Sequence, residues 1–326
     1  MRLVAEDGSV VVGRTLEFSE LPVEDAGNRL VTEPAGTTHV MPKLPNCRKP
    51  FEFVSEHKVA SKISGNKCDS PAVPQTKLAT YVLSKYSSVR DIKMDLKSRD
   101  FPTVWDQADL GNPTVPVHFA FHDTSGKGIV LEYTKKEGMT FYDNTVGAMT
   151  NSPDYAWHME NLRNYPHVQR DEWKGYKYSH LGRNYNQYPQ WTGTGFTGIP
   201  GDYSSPSRFI KAATLVSHNS NIANVDNAVN RMFHMLNAAD IPKGIISAGV
   251  HENFDGEMVE LTDYTWWMGV YDLSRKCVYF RGYLDLSVKK VCLDKIPEQP
   301  SQVNVDANLM DGVRDVTGEL SQLVEG

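Results

Sequence analysis

The sequence predicts an α+β fold in which antiparallel sheets are covered by helices. Three observations predict it: strand pairs alternate with helix pairs along the chain, no β-α-β repeat occurs, and there is no Gly-rich phosphate loop. The 326 residues are enough to bury a substantial core. We assign residues 1–296 to a single domain and residues 297–326 to a polar C-terminal tail that we expect to fray.

The chain opens with a predicted β-hairpin. An apolar run from Leu3 meets the turn signal Asp7-Gly8, and a β-branched run, Val10-Val-Val-Gly13, follows it. The next segment, residues 19–75, is atypical: it is rich in Pro, Gly, Asn and Lys and carries few convincing strands. Within it, residues 55–71 are predicted to be loop or poorly ordered chain.

Periodic patterns return after residue 75. Apolar residues at helical spacing predict five helices, over residues 76–86, 88–96, 155–165, 205–216 and 226–238. Apolar or alternating runs predict a meander over 115–123, 128–133 and 139–144, a hairpin over 264–272 and 276–283, and a last strand over 287–293. Residues 166–200 are predicted to be a long loop rich in Tyr, Gly and Asn, and a loop of that length is usually functional or disordered.

Composition and charge limit the partners of the protein. The formal net charge is −6 and no run of five Lys or Arg occurs, which argues against a nucleic-acid partner. No stretch approaches the roughly 18 apolar residues that span a bilayer, so we expect no membrane insertion. The N-terminus lacks the apolar core of a signal peptide, and both a cytoplasmic location and a periplasmic or secreted one after loss of a leader agree with the sequence.

The sequence contains four cysteines, Cys47, Cys68, Cys277 and Cys292, which are too few for a disulfide scaffold. Because no two of them have C-x-x-C spacing, a zinc site is not expected. Cys277 and Cys292 stand in strand-like apolar runs, and we predict that they are buried packing residues.

A metal-dependent hydrolase is a class of enzyme that the sequence disfavours. Ten histidines are present without a His-Glu-x-x-His motif. The nearest clusters, His118 with His122 and His158 with His167, fall in unlike elements. We therefore expect neither a metal ion nor a cofactor.

Four residues are candidates for catalysis. Arg14 follows the first hairpin through Gly13, with Glu17 three residues on, and by themselves the two can be a surface salt bridge. Asn151 lies in Thr150-Asn-Ser-Pro153, which is strong turn chemistry, and a carboxamide donor to an oxyanion is worth roughly 3 kcal/mol. A lone arginine in a first helical turn, such as Arg208, is usually solvated.

Longer strings around these residues carry a resemblance. They are Val10-Val-Val-Gly-Arg-Thr-Leu-Glu-Phe18, Ala148-Met-Thr-Asn-Ser-Pro-Asp-Tyr155 and Gly201-Asp-Tyr-Ser-Ser-Pro-Ser-Arg-Phe209. With the aromatic hairpin from residue 264, the chain resembles the choloylglycine hydrolase and penicillin V acylase family of linear amide hydrolases over residues 3–18 and 76–295. The resemblance implies an N-terminal nucleophile hydrolase fold, an αββα sandwich of two antiparallel sheets between helix layers.

The resemblance also implies roles for the candidates. In the family a first-residue Cys attacks the amide; Arg14 would lower the pKa of its thiol, and Glu17 would orient its α-amine as the general base. Asn151 would stabilise the oxyanion, and Arg208 would help to hold the site positive. The implied substrate is a small-molecule amide, such as penicillin V, a conjugated bile salt or an N-acyl amide, and a homo-tetramer becomes a candidate assembly.

The sequence departs from the family pattern at two places. Met1-Arg2 stand where the nucleophilic Cys is expected, and residues 19–75 lack the Asn-Glu-x-Gly-Leu motif that supplies another oxyanion donor. We therefore expect that part of the N-terminal region is missing. Two interpretations stay open: an amide hydrolase whose Cys nucleophile is absent from this sequence, and a catalytically inactive, degenerate or truncated homologue that retains a ligand pocket.

Overall fold

The fold is described from a computed structural model. The structure describes residues 1–19, 29–32, 38–40, 52–54, 66–67, 70–75, 78–98, 100–105, 118–134, 138–172, 176–187, 192–252, 256–296 and 301–304. Most of the predicted loop over residues 55–71 lies outside them, as do Cys47 and Cys68.

The elements follow one another in chain order. The strands are β1 (Arg2–Val4), β2 (Val10–Ser19), β3 (Arg29–Thr32), β4 (Thr38–Val40), β5 (Glu52–Val54), β6 (Asn66–Lys67), β7 (Ser70–Pro74), β8 (Thr103–Trp105), β9 (His118–His122), β10 (Gly128–Thr134), β11 (Gly138–Asp143), β12 (Tyr176–His180), β13 (Arg183–Gln187), β14 (Ser247–Glu252), β15 (Met258–Asp272), β16 (Cys277–Gly282), β17 (Lys289–Cys292) and β18 (Ser301–Asn304). The helices are α1 (Leu78–Lys85), α2 (Val89–Ser98), α3 (Tyr155–Leu162), α4 (Ser205–Ser217) and α5 (Val225–Asn237).

A six-stranded antiparallel sheet joins the first two strands of the chain to four strands of its C-terminal third. Its order is β1-β2-β15-β16-β17, and β14 pairs with β15 as well. The predicted first hairpin is confirmed: β1 pairs with β2, and the connecting turn uses Gly8 at a φ of +82°. The predicted C-terminal hairpin is also confirmed, although β15 begins at Met258, earlier than predicted.

The prediction for Cys277 and Cys292 was incomplete. Cys277 is buried, as predicted, but Cys292 is only half-buried. The register of β16 and β17 places the two residues opposite each other, and their sulfurs form a disulfide.

Helix α5 covers one face of the large sheet. Its apolar side packs against alternate residues of β1, β2 and β15, and the contact includes Leu3, Val11, Met232, Leu236, Met268 and Val270. Gly13 lies on the same face, and a Cβ there would come within 2.4 Å of Met232 Cγ. The absence of a side chain at Gly13 therefore lets α5 approach β2 closely.

A three-stranded sheet, β11-β10-β9, confirms the predicted meander. Strand β10 is buried on both faces. Its Ile129 and Leu131 pack with residues of α1 and α2, whereas Val130 packs with residues of α3 and α4. This double coverage explains why β10 has a continuous apolar run instead of an alternating one.

The prediction of a loop over residues 166–200 was wrong in part. Strands β12 and β13 form an antiparallel hairpin within it, joined at Leu181-Gly182. The tail also contains β18, which pairs with β3; residues 305–326 lie outside the described part. Across the residues that the structure describes, no helix has the length and apolar character needed to cross a bilayer.

The packing of α5 on the large sheet generates the first prediction. Met232 is 0 % exposed, so Met232→Ala should lower the free energy of unfolding by about 2–4 kcal/mol in a denaturant titration. Met94→Ala is the control, because Met94 is 56 % exposed on α2 and its loss should change stability by less than about 0.5 kcal/mol. Equal losses in the two variants would contradict this account of the core.

Candidate active site

The start of α4 is built to present an arginine. Ser204 is the N-cap residue and accepts from Ser207 N, and Pro206 occupies the first turn. Asp202 accepts hydrogen bonds from Ser204 N at 2.9 Å and Ser207 Oγ at 2.6 Å, and bonding to these serines lowers the pKa of Asp202 to about 2. The cap determines where the helix begins and therefore places Arg208 one turn inside it.

Arg208 contacts the second predicted site residue, Asn151. One Nη of Arg208 donates to Asn151 Oδ1 at 2.8 Å, and Arg208 Nε donates to Tyr203 O at 3.0 Å. The bond identifies which end of the Asn151 carboxamide faces the guanidinium, because only the oxygen can accept. The amide NH2 is then the end of Asn151 that can donate to another group.

Arg14 lies on the face of β2 opposite α5. Successive side chains of a strand alternate between faces, and Gly13 faces Met232 of α5. Arg14 is exposed, and its guanidinium carbon lies 5.0 Å from the centre of the Trp267 ring in the neighbouring strand β15. The stacking contact supports one orientation of the guanidinium.

Met1 links the Arg14 strand to the loop that leads to Asn151. Its α-amine donates to Gly13 O at 2.6 Å and its carbonyl accepts from Gly13 N at 2.8 Å, so Met1 continues the β1–β2 ladder. Burial, followed by the charges of Arg14 and Arg2, lowers the pKa of this amine to about 5. The next residue, Arg2, donates from its backbone N to Gly147 O at 2.9 Å.

The predicted site residues are thus connected to different degrees. Asn151 and Arg208 are in direct contact, and Arg14 is electrostatically coupled to the Met1 amine. Glu17 pairs through its backbone with Thr265, but its side chain lies outside the described part of the structure. Catalytic roles for these residues remain predictions.

A residue that sequence analysis assigned no role, His158, lies beneath Asn151. It is 1 % exposed on α3, and its ring stacks on Phe209 with centres 4.5 Å apart. Its Nε2 lies 2.8 Å from Asn151 O, whereas its buried Nδ1 has no hydrogen-bond partner among the described residues. The string Trp157-His158 pointed to this region, but a main-chain acceptor leaves no signal in a sequence.

His122 is a second histidine whose buried Nδ1 has no hydrogen-bond partner within the part of the chain that the structure describes. Its ring lies against Gly128, where an added Cβ would come within 2.4 Å of Nδ1 and 3.0 Å of an Arg2 Nη. Burial, then the positive charges of the N-terminus and Arg2, lowers the pKa of His122 to about 3. Its sequence neighbour in the predicted cluster, His118, instead pairs with the buried Glu132 at 3.3 Å. Within the described ranges, no group of three potential metal-ligating side chains is found.

Comparison with known proteins identifies the family. Residues 57–299 match the sequence model of the linear amide C-N hydrolases, choloylglycine hydrolase family, which is well over half of the chain. The chain belongs to this family, as the sequence motifs predicted. An uncharacterized protein of Paramecium bursaria Chlorella virus 1 is 31 % identical over 89 % of this chain and 99 % of its own.

A bile salt hydrolase/transferase of Clostridium perfringens is 30 % identical, and the match covers 68 % of this chain and 63 % of that enzyme. Solved structures show the same fold. A mutant of the conjugated bile acid hydrolase from C. perfringens has a TM-score of 0.70 at 20 % identity, covering 95 % of this chain and 96 % of the other. Penicillin V acylase from Agrobacterium tumefaciens has a TM-score of 0.67 at 17 % identity, covering 95 % and 92 %. The predicted α+β, N-terminal nucleophile hydrolase fold is confirmed.

The buried His122 generates a prediction about pH. The folded protein holds His122 neutral to about pH 3 while the unfolded chain binds the proton near pH 6.5, so the unfolded state binds more protons in between. Stability that is present above pH 6.5 is therefore lost as pH falls towards 3. Since one unit of pKa shift corresponds to about 1.4 kcal/mol, the loss is a few kcal/mol at most. His122→Leu should flatten the pH dependence of the unfolding free energy over this window.

The control is His251→Asn, since His251 is exposed on β14. It should leave the slope as it is in the parent protein. A His122→Leu variant whose slope equals that of the parent would contradict the account.

Proposed function

We propose that the protein hydrolyses linear, non-peptide amide C–N bonds, as in penicillin V, conjugated bile salts or other N-acyl amides. The single observation that carries the proposal is the contact between Asn151 and Arg208, which leaves the Asn151 NH2 as a donor for a developing oxyanion. Family membership supports the reaction class. Relatives named bile salt hydrolase/transferase and conjugated bile acid hydrolase support the substrate class.

The nucleophile of the proposed reaction is the thiolate of an N-terminal cysteine, which the sequence as given does not contain. Arg14 supplies a positive charge that favours thiolate over thiol. The sulfur attacks the amide carbonyl, whose electron pair moves to the oxygen and is stabilised by Asn151. The amine leaves with a proton carried by the α-amine, a thioester forms, and water then releases the acid and regenerates the thiol.

The register of β1 defines where such a cysteine would lie. Arg2 pairs with Val12 and Met1 with Gly13, so a residue placed one position ahead of Met1 would be opposite Arg14. Residues that face each other across a ladder project to the same side of the sheet. A residue one or three positions ahead of Met1 would therefore share the face of Arg14, and a residue two positions ahead would face α5.

A second candidate function is a ligand-binding homologue without catalysis. The specific observation in its favour is that, among the described residues, both cysteines are bonded to each other, in the Cys277–Cys292 disulfide. Neither sulfur is therefore available as a thiolate. Such a protein would bind an amide at Asn151 and Arg14 and leave it intact.

The first prediction of the proposal uses the register. Three variants extend the chain ahead of Met1 by one, two or three residues, each beginning with Cys after a removable leader and filled with Ser. Versions extended by one or three residues should release acid from at least one of the proposed amides at least about 100-fold faster than the two-residue version, because only they place the thiol on the face of the sheet that carries Arg14.

The matched control replaces the first Cys of the most active version by Ala, which should abolish acid release. Acid release is measured on penicillin V, glycocholate and an N-acyl amide. If none of the three lengths releases product from any of them, the hydrolase proposal is wrong, and binding without turnover would support the second candidate.

The second prediction concerns Asn151. In the active version, Asn151→Ala should lower kcat by about 100- to 1,000-fold with little change in KM, because it removes a donor used mainly in the transition state. Asn164→Ala is the control, since Asn164 is an exposed residue just beyond α3 and should leave kcat unchanged. A kcat for Asn151→Ala within threefold of the parent would refute the oxyanion role.

A further inference from the structure

We propose that His158 is a positioning residue: its neutral imidazole holds the main chain of Asn151 so that the carboxamide stays on Arg208. The inference rests on the proposed function for its catalytic consequence, but the contact itself does not. It assigns a role to a buried histidine that the reaction described above does not use. The argument begins with the atom that His158 faces.

The tautomer of His158 follows from its neighbour. Nε2 is 2.8 Å from the carbonyl oxygen of Asn151, and a carbonyl can only accept a hydrogen bond. Nε2 must therefore carry the proton. Because Nδ1 is buried without a partner in the described ranges, a second proton there would find no acceptor in them, and the charged ring is disfavoured.

The surroundings keep this ring neutral on balance. Burial lowers the pKa of His158, and His118 on β9 acts in the same direction. The Asn151 carbonyl, Glu132 on β10 and Asp154 at the start of α3 act in the opposite direction but do not reverse the shift. A neutral Nε2–H donor is thus maintained against the carbonyl.

The same donor geometry excludes a Ser–His nucleophile pair at this place. Ser205 Oγ lies 3.5 Å from His158 Nε2 but donates to Asn151 O at 2.6 Å. Thr150 donates its own hydroxyl proton to Ser205 O at 3.1 Å. Since Nε2 already carries a proton, it cannot take one from Ser205, and both residues act as donors to one carbonyl.

Side chains from two helices, α3 and α4, therefore hold Asn151 in place. His158 of α3 and Ser205 of α4 hold the main chain of Asn151, while Arg208 of α4 holds its side chain. The ring of His158 is itself held by stacking on Phe209 of α4. Without the Nε2–H bond, the main-chain carbonyl of Asn151 loses one of these two side-chain donors, and Asn151 gains freedom to leave Arg208.

Two substitutions separate positioning from packing. His158→Phe keeps an aromatic ring on Phe209 but removes the donor. His158→Gln places an amide NH2 near the position of Nε2 but removes the ring, so it keeps the donor and loses the stacking. If His158 acts only through packing, the Phe variant should retain more of the stability and turnover of the parent. If His158 positions Asn151, the Gln variant should retain more of the turnover and a better ordered Asn151 side chain.

The experiment measures three quantities in both variants: the free energy of unfolding, the NMR signals of the Asn151 side-chain amide, and turnover. We expect His158→Phe to be at least as stable as His158→Gln, yet to lower kcat of the active, Cys-bearing version by about 10- to 100-fold at nearly constant KM, whereas His158→Gln stays within about threefold. The Asn151 side-chain amide resonances should remain dispersed in the parent and the Gln variant and collapse towards those of a mobile amide in the Phe variant.

Nitrogen NMR of the His158 ring in the protein as it stands gives a test that needs no activity. The expected result is the neutral Nε2–H tautomer at pH 7–8, above the ordinary pKa of a histidine. A neutral Nδ1–H tautomer, or Asn151 amide signals that are unchanged in His158→Phe, would overturn the inference even if the protein is an amide hydrolase. Failure of every Cys-bearing version to release acid would instead reject the proposed function and leave these two NMR outcomes to decide the role of His158.

Discussion

The hydrogen bond between Arg208 and Asn151 is the contact on which the candidate site depends. It joins a turn that follows β11 to the first turns of α4, two parts of the chain that are 57 residues apart. A carboxamide on an exposed turn would otherwise rotate freely, and an oxyanion donor is effective only when its orientation is set before the reaction. The guanidinium sets that orientation because it has only hydrogen-bond donors and can therefore bind only the oxygen end of the amide.

Several layers of structure support this contact. Asp202 and Ser204 cap α4, and the start of the helix that they determine places Arg208 within hydrogen-bonding distance of Asn151. On the other side, the buried carboxylate of Glu132 accepts from Tyr155 N at 2.8 Å and so anchors the first residue of α3, the helix that carries His158. The site is therefore held by two helix N-termini, where unpaired backbone N–H groups give polar side chains a defined place to bind.

Much of this arrangement could be predicted from local sequence signals. The turn at Asp7-Gly8 and the proline in the first turn of α4 are short-range features, and the elements they delimit were predicted correctly. The family resemblance, carried by strings around Asn151 and Arg208, identified two residues that the structure brings into contact. The two residues in contact lie close to the starts of α3 and α4, and the capping and turn residues that mark those starts are visible in the same strings.

Other features depend on partners that a sequence does not display. Strand β13 is polar apart from one tyrosine and β14 is largely exposed, so they lack the apolar alternation that marks a strand. The Cys277–Cys292 bond depends on strand register, and the contact of His158 depends on a main-chain oxygen. Backbone acceptors are the same at every residue, which is why a histidine that binds one resembles an ordinary core histidine.

The central claim is that Asn151, held by Arg208, donates to the substrate carbonyl on the side of the sheet that carries Arg14. The most direct measurement is a crystal structure with a bound product acid, such as phenoxyacetate or cholate. The account predicts a carboxylate oxygen within about 3 Å of Asn151 Nδ2, with the Arg208 bond to Oδ1 retained and Arg14 facing the ligand. A ligand bound elsewhere, or an Asn151 carboxamide turned away from both Arg208 and the ligand, would contradict it.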